Sequence, residues 1–340
     1  MTQTESDLTV AITGPTGTFG YGLMPLLQAD DRIARIVGIA RRPFDPSREG
    51  WTKMEYRRGD VRDPGALEEA FADADVVVHL AFMITGNASR ETIREINVEG
   101  TRNAFRAAAA SAASRFVYAL SVAAYGFHRD NPVGMREDWP VRPADHLFYA
   151  QEKAEIERRL QEQSADHPQL DLYVLRPPIV LGPHTLGAKQ VLPGALLPIA
   201  RRLGGLLGRM PLPLPVLAPR LLVQFIHEED VGQAFLLCIV AAGPPGAYNI
   251  TGDGVLTGPE VARELGFTAV PVPAAFVQPW ARAVAGLPFD PPALAWVEAA
   301  GHPAIMDATH AREQLGWTPR YTSLEALRGA LRHEGSAGSR

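Results

Sequence analysis

Tyr149 and Lys153 stand four residues apart in Tyr149-Ala150-Gln151-Glu152-Lys153. On a helix that spacing puts both side chains on one face. A free phenol ionises near pH ~10, too high for a base at neutral pH, and an ammonium one turn away favours the phenolate. The pair is therefore a device for passing a proton to or from a substrate oxygen. Ser121 stands directly after the apolar run Arg115–Leu120, and its hydroxyl can donate to the same oxygen. Taken singly, Tyr149 and Lys153 are equally a surface couple and Ser121 a turn serine.

A second group binds rather than reacts. Gly14-x-x-Gly17-x-x-Gly20, with Thr16, Thr18 and Phe19 inside it, lies between an apolar β-branched run, Leu8–Ile12, and a helical stretch. Such a loop lets the backbone approach a pyrophosphate, and the helix start offers that anion free N–H groups. The bland alternative is a tight strand–helix turn. An NAD site usually places a carboxylate at the end of the second strand. Here that strand ends Ile39-Ala40-Arg41-Arg42. Two guanidiniums suit a 2′-phosphate, which favours NADP, with NAD possible should Arg41 and Arg42 be solvated surface charges.

The elements that must position these groups alternate. Strands are expected at 8–12, 35–40, 75–81, 115–120 and 172–176, and helices at 21–27, 64–72 (capped by Asp63), 91–114 and 149–163. Alternation of this kind implies α/β architecture: a Rossmann-type, doubly wound parallel sheet. Residues 8–176 form the dinucleotide-binding domain. Gln224–His227 is expected as a strand returning to its sheet, within a segment 222–242 that rejoins that domain. Residues 177–221 and 243–335 form a smaller C-terminal substrate-binding lobe.

Bulk properties exclude several classes. The net charge of -5 gives no reason to expect nucleic acid or an anionic membrane as partner. The single cysteine, Cys238, sits in an apolar run and reads as a buried hydrophobe. Met1–Asp7 lacks a basic and apolar leader, and no apolar run is long enough to span a bilayer, so a cytoplasmic address is expected. His227 with Glu228, Glu229 and Asp230 reads as a strand end before a helix capped near Asp230, with no metal assigned. His128 reads as a loop histidine that borders the pocket at most.

The motifs recur in a familiar order: Gly14-x-x-Gly17-x-x-Gly20, Gly59-Asp60-Val61, His79-Leu80-Ala81, Asn97-Val98-Glu99-Gly100-Thr101, Ser121-x-x-x-Tyr125-Gly126, Tyr149-x-x-x-Lys153, Leu175-Arg176-Pro177 and His227-x-x-Asp230-Val231. In this the chain resembles an extended short-chain dehydrogenase/reductase of the NAD-dependent epimerase/dehydratase kind, over roughly residues 8–320. The resemblance implies that Ser121, Tyr149 and Lys153 form a catalytic triad. It implies that Asp60 and Val61 contact the adenine, that Leu80, Ala81 and Asn97 belong to the cofactor site, and that Lys153 also holds the nicotinamide ribose. It further implies a homodimer through helices 91–114 and 149–163.

Departures narrow the reading. Dehydrating members carry Asp-Glu after the Ser/Thr position, where this chain has Val122-Ala123. Members acting on UDP-sugars place an Asn where this chain has Ile179. The segment Val191–Leu222 is apolar and Pro-rich, interrupted by Arg201, Arg202, Arg209 and Arg220. It suits a lid over an apolar small molecule, or lobe packing. The sequence thus points to an NAD(P)-dependent oxidoreductase, with a nucleotide-sugar epimerase holding NAD tightly as the alternative and a non-catalytic dinucleotide sensor as a third reading.

Overall fold

The computed structural model describes residues 7–84, 88–145, 147–184, 215–273 and 302–337. Seven parallel strands form its central sheet. Five belong to the first half of the chain: β1 (Leu8–Thr13), β2 (Ile33–Ala40), β3 (Met54–Arg58), β4 (Val76–His79) and β5 (Arg115–Ala119). From one edge the order runs Gly246–Asn249, Asp171–Arg176, β5, β4, β1, β2, β3. The chain winds in both directions from β1, so a crevice opens between β1 and β4 at their carboxyl ends.

Side chains alternate along each strand, so the sheet has two apolar faces. Val10 and Ile12 point to one, where α1 (Thr18–Ala29) and the helix Glu228–Ile239 pack with Leu23, Met24 and Phe235. Ala11 points to the other, covered by α2 (Pro64–Phe71) and later helices through Leu67, Phe71, Phe105 and Ile156. Asp63 caps α2 by accepting from the Gly65 and Ala66 amides, as its place before Pro64 predicts.

Three expectations need correction. The Ala-rich run does not form one helix over 91–114. It is α3 (Arg90–Arg94), a π-helical turn (Glu95–Glu99) and α4 (Gly100–Ala110). The widened turn carries Asn97 inward, a placement a regular helix would shift. Gln224–His227 does not rejoin the main sheet. Its strand, Phe225–His227, pairs with Ile179–Leu181, and Gly246–Asn249 takes the sheet edge instead. Polar bonds commit it there: the Gln224 amide exchanges two hydrogen bonds with the Met306 backbone, and Ser323 Oγ accepts from the Phe225 amide. Finally, His227 caps the helix that starts at Glu228. Asp230 is fully buried and accepts from the backbone amides of Arg320 and Tyr321 at 2.7 and 3.2 Å.

α5 (Phe148–Asp166) is fastened to the sheet by a buried ion pair. Arg176, in the strand next to β5, pairs with Glu157, with both side chains about 3% exposed or less. The same guanidinium donates to the Tyr125 hydroxyl and the Glu137 carbonyl. Taking away one partner of such a pair leaves an uncompensated buried charge. Glu157→Gln is accordingly expected to lower stability by about 3 kcal/mol; an unchanged urea midpoint would contradict this account of α5's anchor.

Candidate active site

The crevice is built at the carboxyl ends of β1 and β4. β1 ends at Thr13, and Gly14 follows with φ +68°, a conformation that favours glycine. A Cβ on Gly14 would lie 3.0 Å from the Ala81 backbone. A Cβ on Gly20 would lie 1.9 Å from the Pro15 carbonyl oxygen. The N-cap of α1, Gly17, offers no side chain to its first amides, and Gly17 itself is exposed. Thr16, Thr18 and Phe19 are half-buried around it. This chain therefore makes a bare helix start beside a closely approached backbone, a set of donors that fits a dinucleotide pyrophosphate.

Leu80 and Ala81 are joined to this loop. The Leu80 amide donates to the Thr13 carbonyl at 3.1 Å and the Ala81 amide to Thr13 Oγ1 at 3.2 Å. His79 continues the chain inward, with Nδ1 2.7 Å from Thr13 Oγ1 and Nε2 3.0 Å from Thr101 Oγ1. Thr101 gives its own proton to the Asn97 carbonyl at 2.6 Å. Nε2 therefore carries the ring proton and Nδ1 accepts from Thr13. Burial pushes His79 down to about 3, so the ring stays neutral.

At the far side of the loop, Arg41 and Arg42 are exposed just past β2. Arg58, which the sequence reading missed, joins them from the end of β3. It sits opposite Ala40, is exposed, and donates Nε to the Arg41 carbonyl at 3.1 Å. Asp60 is held by Arg62 at 2.8 Å, which keeps its carboxyl below the usual range. Val61 is buried beneath α4, against Gly100.

Ser121, Tyr149 and Lys153 come together at the end of β5. Ser121 is almost buried and caps the short turn Val122–Tyr125, accepting from the Ala123 amide at 3.2 Å. Its side chain acts on Tyr149, favouring the ionised phenol. Lys153, 2% exposed, donates to the Ala119 carbonyl at 2.6 Å and to the Tyr118 hydroxyl at 3.2 Å. Its Nζ lies 3.8 Å from the centre of the Phe82 ring and 5.9 Å from that of Tyr149. Phe82 also meets Tyr149 edge-on at 5.5 Å. His128 Nε2 lies 2.6 Å from the Arg142 carbonyl, so it is tied to its own loop.

The electrostatics correct the simple view of the pair. Burial pushes the Tyr149 phenol up to about 12, opposed by the Ser121 side chain. Burial also pulls Lys153 down to about 7, opposed by the charge of Glu152. The ammonium is directed at the wall of β5 rather than at the phenol. Asn97 is fully buried and braces this wall. Its Oδ1 accepts from the Met83 amide at 2.7 Å, and its Nδ2 donates to the Met83 carbonyl at 3.0 Å and to Glu152 at 2.7 Å. Phe82 and Glu152 were not singled out from the sequence. The spacing of positions 149, 152, 153, 156, 157 and 160 does carry Glu152, since it places that carboxylate on α5's inner face.

The segment expected as a lid lies mostly outside the described residues, Arg201, Arg202 and Arg209 included. Its described end, the strand Pro215–Pro219, pairs with Thr268–Val272. Ile179 packs against an apolar cluster around Leu181 and Phe225. Among the described residues no helix is long and apolar enough to cross a membrane.

The depressed lysine has a stability signature. Its ordinary value is 10.5 and its folded value about 7, so between these the unfolded chain binds the extra proton. Stability from this group is present above the ordinary value and is lost as pH falls toward 7. Wild-type stability relative to Lys153→Met should therefore fall steadily from pH ~10 to pH ~7 and level off below; a flat difference across urea titrations would contradict the burial of Lys153's charge.

Comparison with known proteins gives a consistent picture. A model of the NAD dependent epimerase/dehydratase family matches residues 10–251. An uncharacterised protein of Mycobacterium tuberculosis is 26% identical over 338 residues, covering 96% of this chain and 84% of that one. The N-acetyl-alpha-D-glucosaminyl-diphospho-ditrans,octacis-undecaprenol 4-epimerase of Escherichia coli O157:H7 is 29% identical over 52% of this chain and 50% of its own. In structure, the UDP-N-acetylglucosamine 4-epimerase of Methanobrevibacter ruminantium, solved with UDP-N-acetylmuramic acid, superposes with a TM-score of 0.71. It is 18% identical, covering 98% of this chain and 99% of that one.

Proposed function

The chain belongs to the NAD dependent epimerase/dehydratase family, and on that premise we propose that it is an NADP-preferring oxidoreductase acting on a carbonyl or alcohol. What supports this reading is that Ser121 directly follows β5, that Lys153 on α5 bonds to the Ala119 carbonyl at that strand's end, and that the Gly14 loop leaves the same carboxyl edge of the sheet. Ser121 holds the substrate oxygen by a hydrogen bond. Tyr149, a protonated phenol at neutral pH, delivers its proton to that oxygen in reduction and recovers it in oxidation. Lys153 holds the cofactor's ribose and places positive charge behind the phenol. A bound nicotinamide supplies or takes up the hydride.

The preference for NADP rests on Arg41, Arg42 and Arg58, three exposed guanidiniums at the ends of adjacent strands. Asp60, Val61, Leu80 and Ala81 complete the cofactor site, with Asn97 supporting it from behind. Val122 and Ala123 supply neither the acid nor the base that a dehydration needs. The substrate lobe comprises 177–221 and 243–335 apart from the sheet strand Gly246–Asn249, and it takes a small molecule. The enzyme works in the cytoplasm as a homodimer through α4 and α5. Epimerisation of a nucleotide sugar is the second reading, favoured by the epimerases among its relatives. The two differ in net cofactor use, because an epimerase regenerates what it consumes.

A purified-protein assay should show NADPH consumed with an aldehyde or ketone, one equivalent per product. Turnover of UDP-hexoses without net cofactor change would replace this reading with the second. Tyr149→Phe is expected to lower kcat by about 10²–10⁴; undiminished activity would remove Tyr149 from the mechanism. Arg41→Ser with Arg42→Ser should cost kcat/KM for NADPH by about tenfold or more while sparing NADH. A wild type that selects NADH would overturn the assignment of the arginines.

A further inference from the structure

Glu152 precedes Lys153 in the chain and lies 2% exposed in the wall behind it. One carboxylate oxygen accepts from Asn97 at 2.7 Å, and the other is buried with no hydrogen-bond partner. A carboxylate so placed is costly unless its charge serves a neighbour. Burial pushes this carboxyl up, opposed first by the Asn97 bond and then by the charges of Arg94 and Lys153. Lys153 adjoins it on α5. Among the described residues its Nζ meets neutral oxygens and aromatic rings, those of Ala119, Tyr118, Phe82 and Tyr149. Among the described residues, Glu152 is the carboxylate whose charge opposes the burial cost at Lys153. The other groups facing this pair are accounted for. Arg94 on α3 is held by Glu155 on α5, Glu157 is held by Arg176, and Tyr118 and His79 stay neutral in the sheet.

We propose that Glu152 is a positioning residue that keeps Lys153 an ammonium, its charge fixed in place by Asn97. The same amide also grips Met83, so one side chain sets both the counter-charge on α5 and the loop that carries Phe82 over the lysine. The proposal rests on the oxidoreductase reading only for the use made of that ammonium. Without Glu152 the site would strip the lysine's proton, and a neutral amine places no charge behind Tyr149.

The chain has three lysines, Lys53, Lys153 and Lys189, so a protein labelled with ¹³C at lysine Cε gives three signals. The one lost in Lys153→Met identifies Lys153. Its titration midpoint should fall by about one pH unit or more in Glu152→Gln. Glu152→Asp, which keeps the charge, should restore most of that shift. Should the glutamine variant not fold, Glu152→Ser removes charge and orphan oxygen together and gives the same readout. In kinetics the alkaline limb of kcat/KM should move to lower pH by the same amount, whereas a structural role would lower kcat at every pH. A midpoint that does not move in the charge-removing variant overturns the proposal. The NMR measurement needs no substrate. A moved midpoint in a protein with no NADPH turnover keeps this inference while the oxidoreductase reading falls. An unmoved midpoint in an active enzyme removes this inference alone.

Discussion

Burying a cation is the demand around which this molecule is arranged. Lys153 enters the interior between α5 and β5, where the medium penalises its charge. Among the described residues, the groups in contact with it reduce that penalty without supplying a direct counter-ion: a backbone carbonyl, a phenol oxygen, and the π-face of Phe82. The price of this dry setting is that Tyr149 and Lys153 both sit away from their ordinary acidities. It also makes the site responsive, because small changes in nearby charge act at low effective dielectric.

That setting depends on the sheet holding α5 at a fixed depth. The Arg176–Glu157 pair ties the helix to the strand next to β5, and Tyr125 carries the same guanidinium's reach to the turn that starts at Ser121. The turn after β5 and the helix α5 are thus fastened to one buried guanidinium. On the opposite flank, the chain Thr13–His79–Thr101 links the end of β1 to the turn holding Asn97. Because His79 stays neutral, that flank keeps its shape across the whole physiological pH range.

Much of this was legible in the sequence because period and punctuation are local signals. The β-branched runs gave the strands, Asp63-Pro64 marked a helix start, and the three spaced glycines marked the loop. Ser121 follows β5, and Lys153 reaches the end of that strand from α5. What was not legible depends on partners distant in sequence. Gln224–His227 reads as a main-sheet strand until Met306 and Ser323 are seen to claim its polar groups. Asp230 reads as a helix cap until the amides of residues 320 and 321 are found on it. The π-helical turn at Asn97 leaves no trace in an Ala-rich periodicity. Arg58 is unremarkable as sequence and becomes relevant only because β3 pairs with β2 in the register that brings it beside Arg41.

Asp230 carries a further consequence. Its helix packs on the sheet face beneath α1, yet its donors lie ninety residues further on, next to Trp317. That indole is fully buried in the same core and donates to the Asp230 carbonyl. The nucleotide-binding half is therefore not a unit that closes when its own strands are complete. Its core on that face is completed by the indole of Trp317, and the Asp230 carboxylate is satisfied by amides just beyond it. A chain cut before residue 317 would leave an apolar slot beside a carboxylate without these donors.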